Sequence, residues 1–183
     1  MLDALISSQT RIKLLLKFFL NSGTKAYLRG LESEFGESSN GIRLELNRLE
    51  EAGMLISQLE GNKKVFKANT AHPLFSEIHN LFLKHFGLDQ IVEQVIHRMV
   101  DLEFVYLTGS FARGVDHQVV DLVFVGKVNE TYLSELVEKA EGLIKRKIEF
   151  VVYRPEGFNI EALMRSGVMQ PLLLWSKSNR EVA

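Results

Sequence analysis

Two stretches of this chain combine residue types whose spacing could do chemistry. In the first, Leu107-Thr108-Gly109-Ser110-Phe111-Ala112-Arg113-Gly114 is followed shortly by Val119-Val120-Asp121-Leu122-Val123-Phe124-Val125. It reads as a strand, a tight Gly-Ser turn, a short helix and a second apolar strand bearing one carboxylate. In the second, Arg43 and Asn47 stand four residues apart and so share one helix face, with Lys63 and Lys64 at a turn further on. Arginine suits the two acceptors of guanine, and asparagine suits adenine.

Familiar catalytic motifs are absent. Val115-Asp116 follows Gly109–Gly114 where a P-loop requires Lys and then Ser or Thr. Ser110 is not in a Gly-x-Ser-x-Gly elbow. His72, His79, His85, His97 and His117 show no metal-ligand spacing, and His79 and His85 read as residues flanking an apolar helix face. Lys145-Arg146-Lys147 reads as the solvated end of a helix, complementing its dipole. With no cysteine there is no disulfide framework and no thiolate metal site.

The elements that must position these residues follow from periodicity. Apolar residues at 12, 15, 16, 19 and 20 predict a helix over 7–20, closed by Asn21-Ser22-Gly23. Tyr27 to Phe35 predicts a second helix, with Gly36 beyond it. Ser38-Ser39-Asn40 is an N-cap cluster opening a third, which ends at Gly53. A hairpin over residues 54–68 turns at Glu60-Gly61-Asn62-Lys63. Helices are predicted over 74–86 and 88–100, with Ala71-His72-Pro73 as the break before them. Strands are predicted at 103–108, 119–125 and 148–153, and an amphipathic helix at 130–146. A helix running from Pro155 towards Arg165 and an apolar tail over 170–175, packed back onto the domain, complete the chain.

Three helices followed by a hairpin is the winged helix-turn-helix arrangement. In that arrangement Ser38, Ser39, Asn40, Arg43, Asn47 and Arg48 are the candidates facing DNA, and Lys63 and Lys64 would touch phosphate. Glu45, Glu50 and Glu51 read as acidic neighbours on a solvated face. Residues 39–55 resemble the recognition helix and exit of bacterial winged-helix repressors of the arsenic-repressor type, a likeness covering roughly residues 7–70. Charge agrees mildly: residues 1–70 hold ten Lys/Arg against eight Asp/Glu, in a chain of net charge −1.

The first stretch resembles the signature of the small nucleotidyltransferases, Gly-Ser-x-x-x-Gly followed by Asp-x-Asp on the next strand. That resemblance implies that Gly109, Ser110 and Arg113 hold a nucleotide. It also implies that Asp121 and Glu149 are what remains of a Mg²⁺ site, with Glu149 in the place of the third carboxylate. Val119 falls on the first Asp; if the loop is not shortened, Asp121 is the first and Val123 replaces the second. Either way the pair has lost a member, and valine cannot ligate a hard cation. Asp116, in the intervening loop, could swing in, but a flexible loop residue is a poor stand-in for a strand-held ligand.

The whole order resembles prokaryotic regulators that fuse a winged helix to a minimal nucleotidyltransferase-like domain. Tyr153-Arg154-Pro155-Glu156-Gly157-Phe158 and Leu172-Leu173-Leu174-Trp175-Ser176-Lys177 resemble that group's strand exit and closing segment. The expected fold is α+β. Residues 1–70 form a DNA-binding domain, 71–100 linker helices, and 101–183 a nucleotidyltransferase-like domain with a short mixed sheet. The expected function is sequence-specific transcriptional regulation, with the second domain sensing a ligand or holding a homodimer and no catalytic residue assigned. Double-stranded DNA and a nucleotide or small-molecule effector are the expected partners. The alternatives are an active enzyme moving a nucleotide to a protein, RNA or small molecule, and an antitoxin-like interaction module. The longest apolar runs are too short to cross a bilayer, no signal-peptide pattern opens the chain, and a cytoplasmic location is the expectation.

Overall fold

The computed structural model describes residues 2–165 and 171–178. The chain divides into two compact units, Met1–His85 and Phe86–Ala183. Together they make a mixed α+β architecture. No helix among the described residues is long and apolar enough to span a membrane.

The first unit begins with the single turn α1 (Leu2–Leu5) and α2 (Gln9–Leu15), which opens under Ser8, whose hydroxyl accepts the Arg11 N–H. The predicted helix over 7–20 is not uniform, because Leu16–Leu20 winds as a π-helix. All five of those residues are buried, Lys17 included. A buried ammonium must be paired, and Lys17 Nζ meets both carboxylate oxygens of Glu34 at 2.8 and 2.9 Å. In the same π-helical turn the Phe19 carbonyl bonds with the Nδ1 of His79 at 2.8 Å. His79 therefore does not flank the apolar face as the sequence suggested. It is buried in it, its ring stacked on Phe75, which stacks in turn on Phe19.

Next come β1 (Ala26–Tyr27), α3 (Leu28–Phe35) and α4 (Ser39–Glu51). Tyr27 is thus a strand residue rather than the first of a helix, because it pairs with Val65. Gly36 adopts a left-handed φ of +64° to end α3, and the Ser38 hydroxyl caps α4 by accepting from Gly41 N–H. Ile42, Leu46 and Leu49 line the inner face of α4. β2 (Leu55–Glu60) and β3 (Lys63–Ala68) form a hairpin with Gly61 at φ +60°, in an antiparallel sheet of order β1-β3-β2. α5 (Phe75–Phe86) follows.

The second unit contains α6 (Leu88–Gln94), which stops short of the predicted residue 100 and passes into a 3₁₀ turn at Ile96–Arg98. β4 (Leu102–Thr108) leads through α7 (Gly109–Ala112) to β5 (Val119–Gly126), α8 (Glu130–Ile144) and β6 (Lys147–Tyr153). The helix expected from Pro155 is interrupted. Pro155–Gly157 is a 3₁₀ turn, Phe158 is extended, and Asn159 caps a separate α9 (Ile160–Arg165). Gln170 of the predicted tail lies outside the described residues, while β7 (Leu172–Ser176) pairs antiparallel with β4. The sheet order is β6-β5-β4-β7, with only β5 and β6 parallel, joined through α8. Val120, Leu122 and Phe124 are buried on one sheet face, and alternation puts Asp121 on the other.

Two close approaches fix the second unit. Gly87, at φ +75°, packs so tightly that a Cβ would lie 2.5 Å from Cγ2 of Ile144. A Cβ on Gly126 would lie 2.4 Å from the Asp101 carbonyl oxygen and 2.9 Å from Cα of Leu102, both backbone atoms that cannot yield without parting β4 from β5. Gly126→Ala is expected to cost about 3 kcal/mol of stability, read as a lowered urea midpoint. A change within a few tenths of a kcal/mol would contradict this packing.

Candidate functional site

Each unit carries one candidate site. In the second unit, the register places Asp121 of β5 between Thr108 of β4 and Glu149 of β6. The two carboxylates are neighbours on adjacent parallel strands. Gly109 follows Thr108 at φ +62°, and a Cβ there would come within 2.1 Å of Oδ2 of Asp121. The glycine is thus demanded twice, by a left-handed backbone and by the carboxylate lying against its Cα. Arg113 Nη2 donates to the Ser110 hydroxyl at 3.3 Å, so the predicted nucleotide-binding trio closes on itself beside Asp121. The far end of this sheet face is covered, because Phe158 stacks on Tyr106 and tilts against Tyr153. Glu149 stays exposed and Asp121 partly so.

Burial pushes the Asp121 carboxyl above its ordinary range, and the charge of Glu149 pushes it the same way, against weaker opposing effects of His117 and Arg113.

The donor set does not fit the paired-carboxylate Mg²⁺ site that the resemblance implied. Val119 is opposite Lys147, whose ammonium is taken by Glu141 at 2.8 Å. Asp116 is not a stand-in ligand, since Arg146 Nη1 holds it at 2.8 Å. Arg146 itself is not a solvated helix end. Its side chain is 16% exposed, lies 5.3 Å from the ring centres of both Phe86 and Phe111, and also donates to the His117 carbonyl. Among the described residues, no group of three His, Cys, Asp or Glu could hold a metal ion.

In the first unit, α4 presents Asn40, Arg43, Asn47 and Arg48 to solvent, with Ser38 spent as the N-cap and Ser39 half-buried. The structure separates them by commitment. Arg48 is drawn to Glu45 at 3.1 Å and Lys64 to Glu50 at 2.6 Å. Arg43 and Asn47 have no such partner among the described residues. Lys63, at the hairpin, stands 4.4 Å above the ring of Tyr27. Glu45 is no solvated neighbour: it is buried, and it also takes Arg11 Nε at 2.7 Å. Sequence reading missed Arg29, on the first turn of α3, which lines one groove of about 550 Å³ with Arg43, Asn47 and Lys63. Its only signal was a cation two residues after Tyr27, on a strand too short to foresee.

No protein-family model matches this chain, and no curated protein matches it. Solved structures are similar to it at low identity. One is a tri-AMPylated Shewanella oneidensis HEPN toxin in complex with its MNT antitoxin, at 17% identity and a TM-score of 0.37, covering 50% of this chain and 71% of that one. Another is a MntA–HpeT toxin–antitoxin mutant, at 18% identity and 0.39, covering 49% and 73%. A Sulfolobus solfataricus protein named as a nucleotidyltransferase matches at 21% identity and 0.34, covering 64% and 96%.

Because the native Asp121 binds its proton more tightly than the unfolded chain does, its ionisation weakens the fold as pH rises through the carboxylate range, and the penalty is full at neutral pH. Asp121→Asn is therefore expected to stabilise the protein at pH 7. The gain should fade below the ordinary Asp value of 3.8. Chemical denaturation at pH 7 and pH 3.5 checks it; a loss of stability at pH 7 would show that the ionised carboxylate is stabilised by a partner.

Proposed function

We propose that the protein is a sequence-specific DNA-binding regulator. In this reading residues 1–70 are a winged helix-turn-helix, 71–100 connect, and 101–183 form a nucleotidyltransferase-like domain that no longer transfers nucleotides. The observation that carries the reading is the free polar pair Arg43 and Asn47 on one exposed face of α4, with the Lys63 hairpin beside it in the same groove. The element order helix, short strand, helix, helix, hairpin supports it. So does the internal pairing of Glu45 and Glu50, which takes two negative charges out of competition with phosphate.

The division of labour follows from chemistry. Arg43 and Asn47 would meet base edges in the major groove. Lys63 and Arg29 would meet phosphates, contributing affinity without sequence information. The contact set is small, so a homodimer on a two-fold-related site supplies the rest of the footprint. In the second domain, the turn at Gly109-Ser110 and the pair Asp121/Glu149 keep a place for a ligand, and the missing carboxylate removes the charge that phosphoryl transfer depends on.

On a selected duplex, Arg43→Ala and Asn47→Ala should each weaken binding by about 1–3 kcal/mol and relax preference at one base position. Lys63→Ala should weaken all sequences alike and reduce the slope of log K against log salt by about one. Fluorescence anisotropy at several salt concentrations reads both. Unchanged affinity in the Arg43→Ala, Asn47→Ala double variant would overturn the assignment of α4.

The second reading, an active transferase, is favoured by the intact placement of Asp121 beside Gly109. Label from α-labelled nucleotides with Mg²⁺ or Mn²⁺ is expected to stay unincorporated. Incorporation that is lost in Asp121→Ala would replace the regulatory reading of this domain.

A further inference from the structure

The groove in the first unit has a chemistry that duplex recognition does not require. Its floor is apolar and aromatic: Leu46 and Phe66 are buried there, and Tyr27 and Leu28 line it. Its rim is cationic. Arg29, Arg43 and Lys63 carry no ion pair among the described residues, and none of the lining residues is acidic. At about 550 Å³ it falls within the 300–1,000 Å³ usual for small-molecule pockets. A duplex is convex and would lay a phosphodiester across the mouth, leaving the apolar floor unfilled.

We propose that this groove binds a small planar aromatic anion, a ring system carrying one phosphate, sulfonate or carboxylate, and that its occupancy excludes DNA from α4. The anion would sit among Arg29, Arg43 and Lys63, where the field of three unpaired cations adds up. The ring would cover the floor made by Leu46 and Phe66, with the amides of Asn47 and Asn62 in reach of polar edges. Arg43 then serves two ligands that cannot both be present, which turns the groove into a direct switch. The exclusion rests on the proposed DNA-binding role of α4, whereas the binding of the anion does not.

The full chain is titrated with 8-anilinonaphthalene-1-sulfonate by fluorescence, and with AMP, adenosine and inorganic phosphate by calorimetry. The two aromatic anions are expected to bind more tightly than adenosine or phosphate. Arg43→Ala and Lys63→Ala should each weaken them at least tenfold, and Lys139→Ala, at an exposed position of α8 away from both candidate sites, should leave them unchanged. Both substitutions in the groove are at exposed positions, and thermal melting confirms that the variants fold. No binding at millimolar concentration, or binding indifferent to Arg43→Ala and Lys63→Ala, overturns the inference. A selected duplex is then added to the AMP complex, and displacement supports the switch. A protein that binds duplex but neither aromatic anion refutes the groove alone. One that takes the anions but never binds duplex refutes the DNA reading and the switch, and leaves the anion site standing. Simultaneous binding of both contradicts the exclusion.

Discussion

The carboxylate of Glu45 is buried in the middle of α4, and the first unit depends on how that charge is satisfied. Burial alone would push its pKa up, but hydrogen bonds from Arg11 and the charges of Arg11 and Arg48 outweigh it and hold it below the usual range. Arg11 reaches it with both Nε and Nη2, the fork geometry that suits a carboxylate. Removing Arg11 would leave the Glu45 carboxylate with Arg48 as its remaining cation, at a cost of about 1–3 kcal/mol. The bond ties α4 to α2 and sets its rotation. With Glu45, Ile42, Leu46 and Leu49 turned inward, Arg43 and Asn47 are among the residues that face outward.

A comparable constraint organises the second unit. Asp121 lies against Gly109, so the turn and the carboxylate are one feature. Arg146, half-buried against the rings of Phe86 and Phe111, pins the loop that joins them and keeps Asp116 away. The turn at Gly109 and the carboxylates of Asp121 and Glu149 are thereby held together by packing.

Much of this was legible in the sequence. The order of helices, hairpin and strands follows from periodicity and from glycines at 36, 53, 61 and 87, each at positive φ in the structure. The apolar run Val119–Val125 with its single carboxylate marked the strand that carries Asp121. What escaped were side chains whose roles depend on distant partners. Glu45 and Arg146 are charged and look solvated, yet one is buried against Arg11 and the other half-buried against two rings, because partners 34 and 30 residues away supply the compensation. His79 hid for the same reason, its carbonyl partner being freed by a π-helical turn that no spacing rule announces. Arg29 joined the groove only through a two-residue strand.

The most direct test of the account is selection from a pool of random duplexes by the purified full chain at two salt concentrations. The account predicts enrichment of a short, two-fold-related sequence that survives at the higher salt, with total binding reduced. Retention that is blind to sequence and vanishes with salt, or no retention at all, would contradict it.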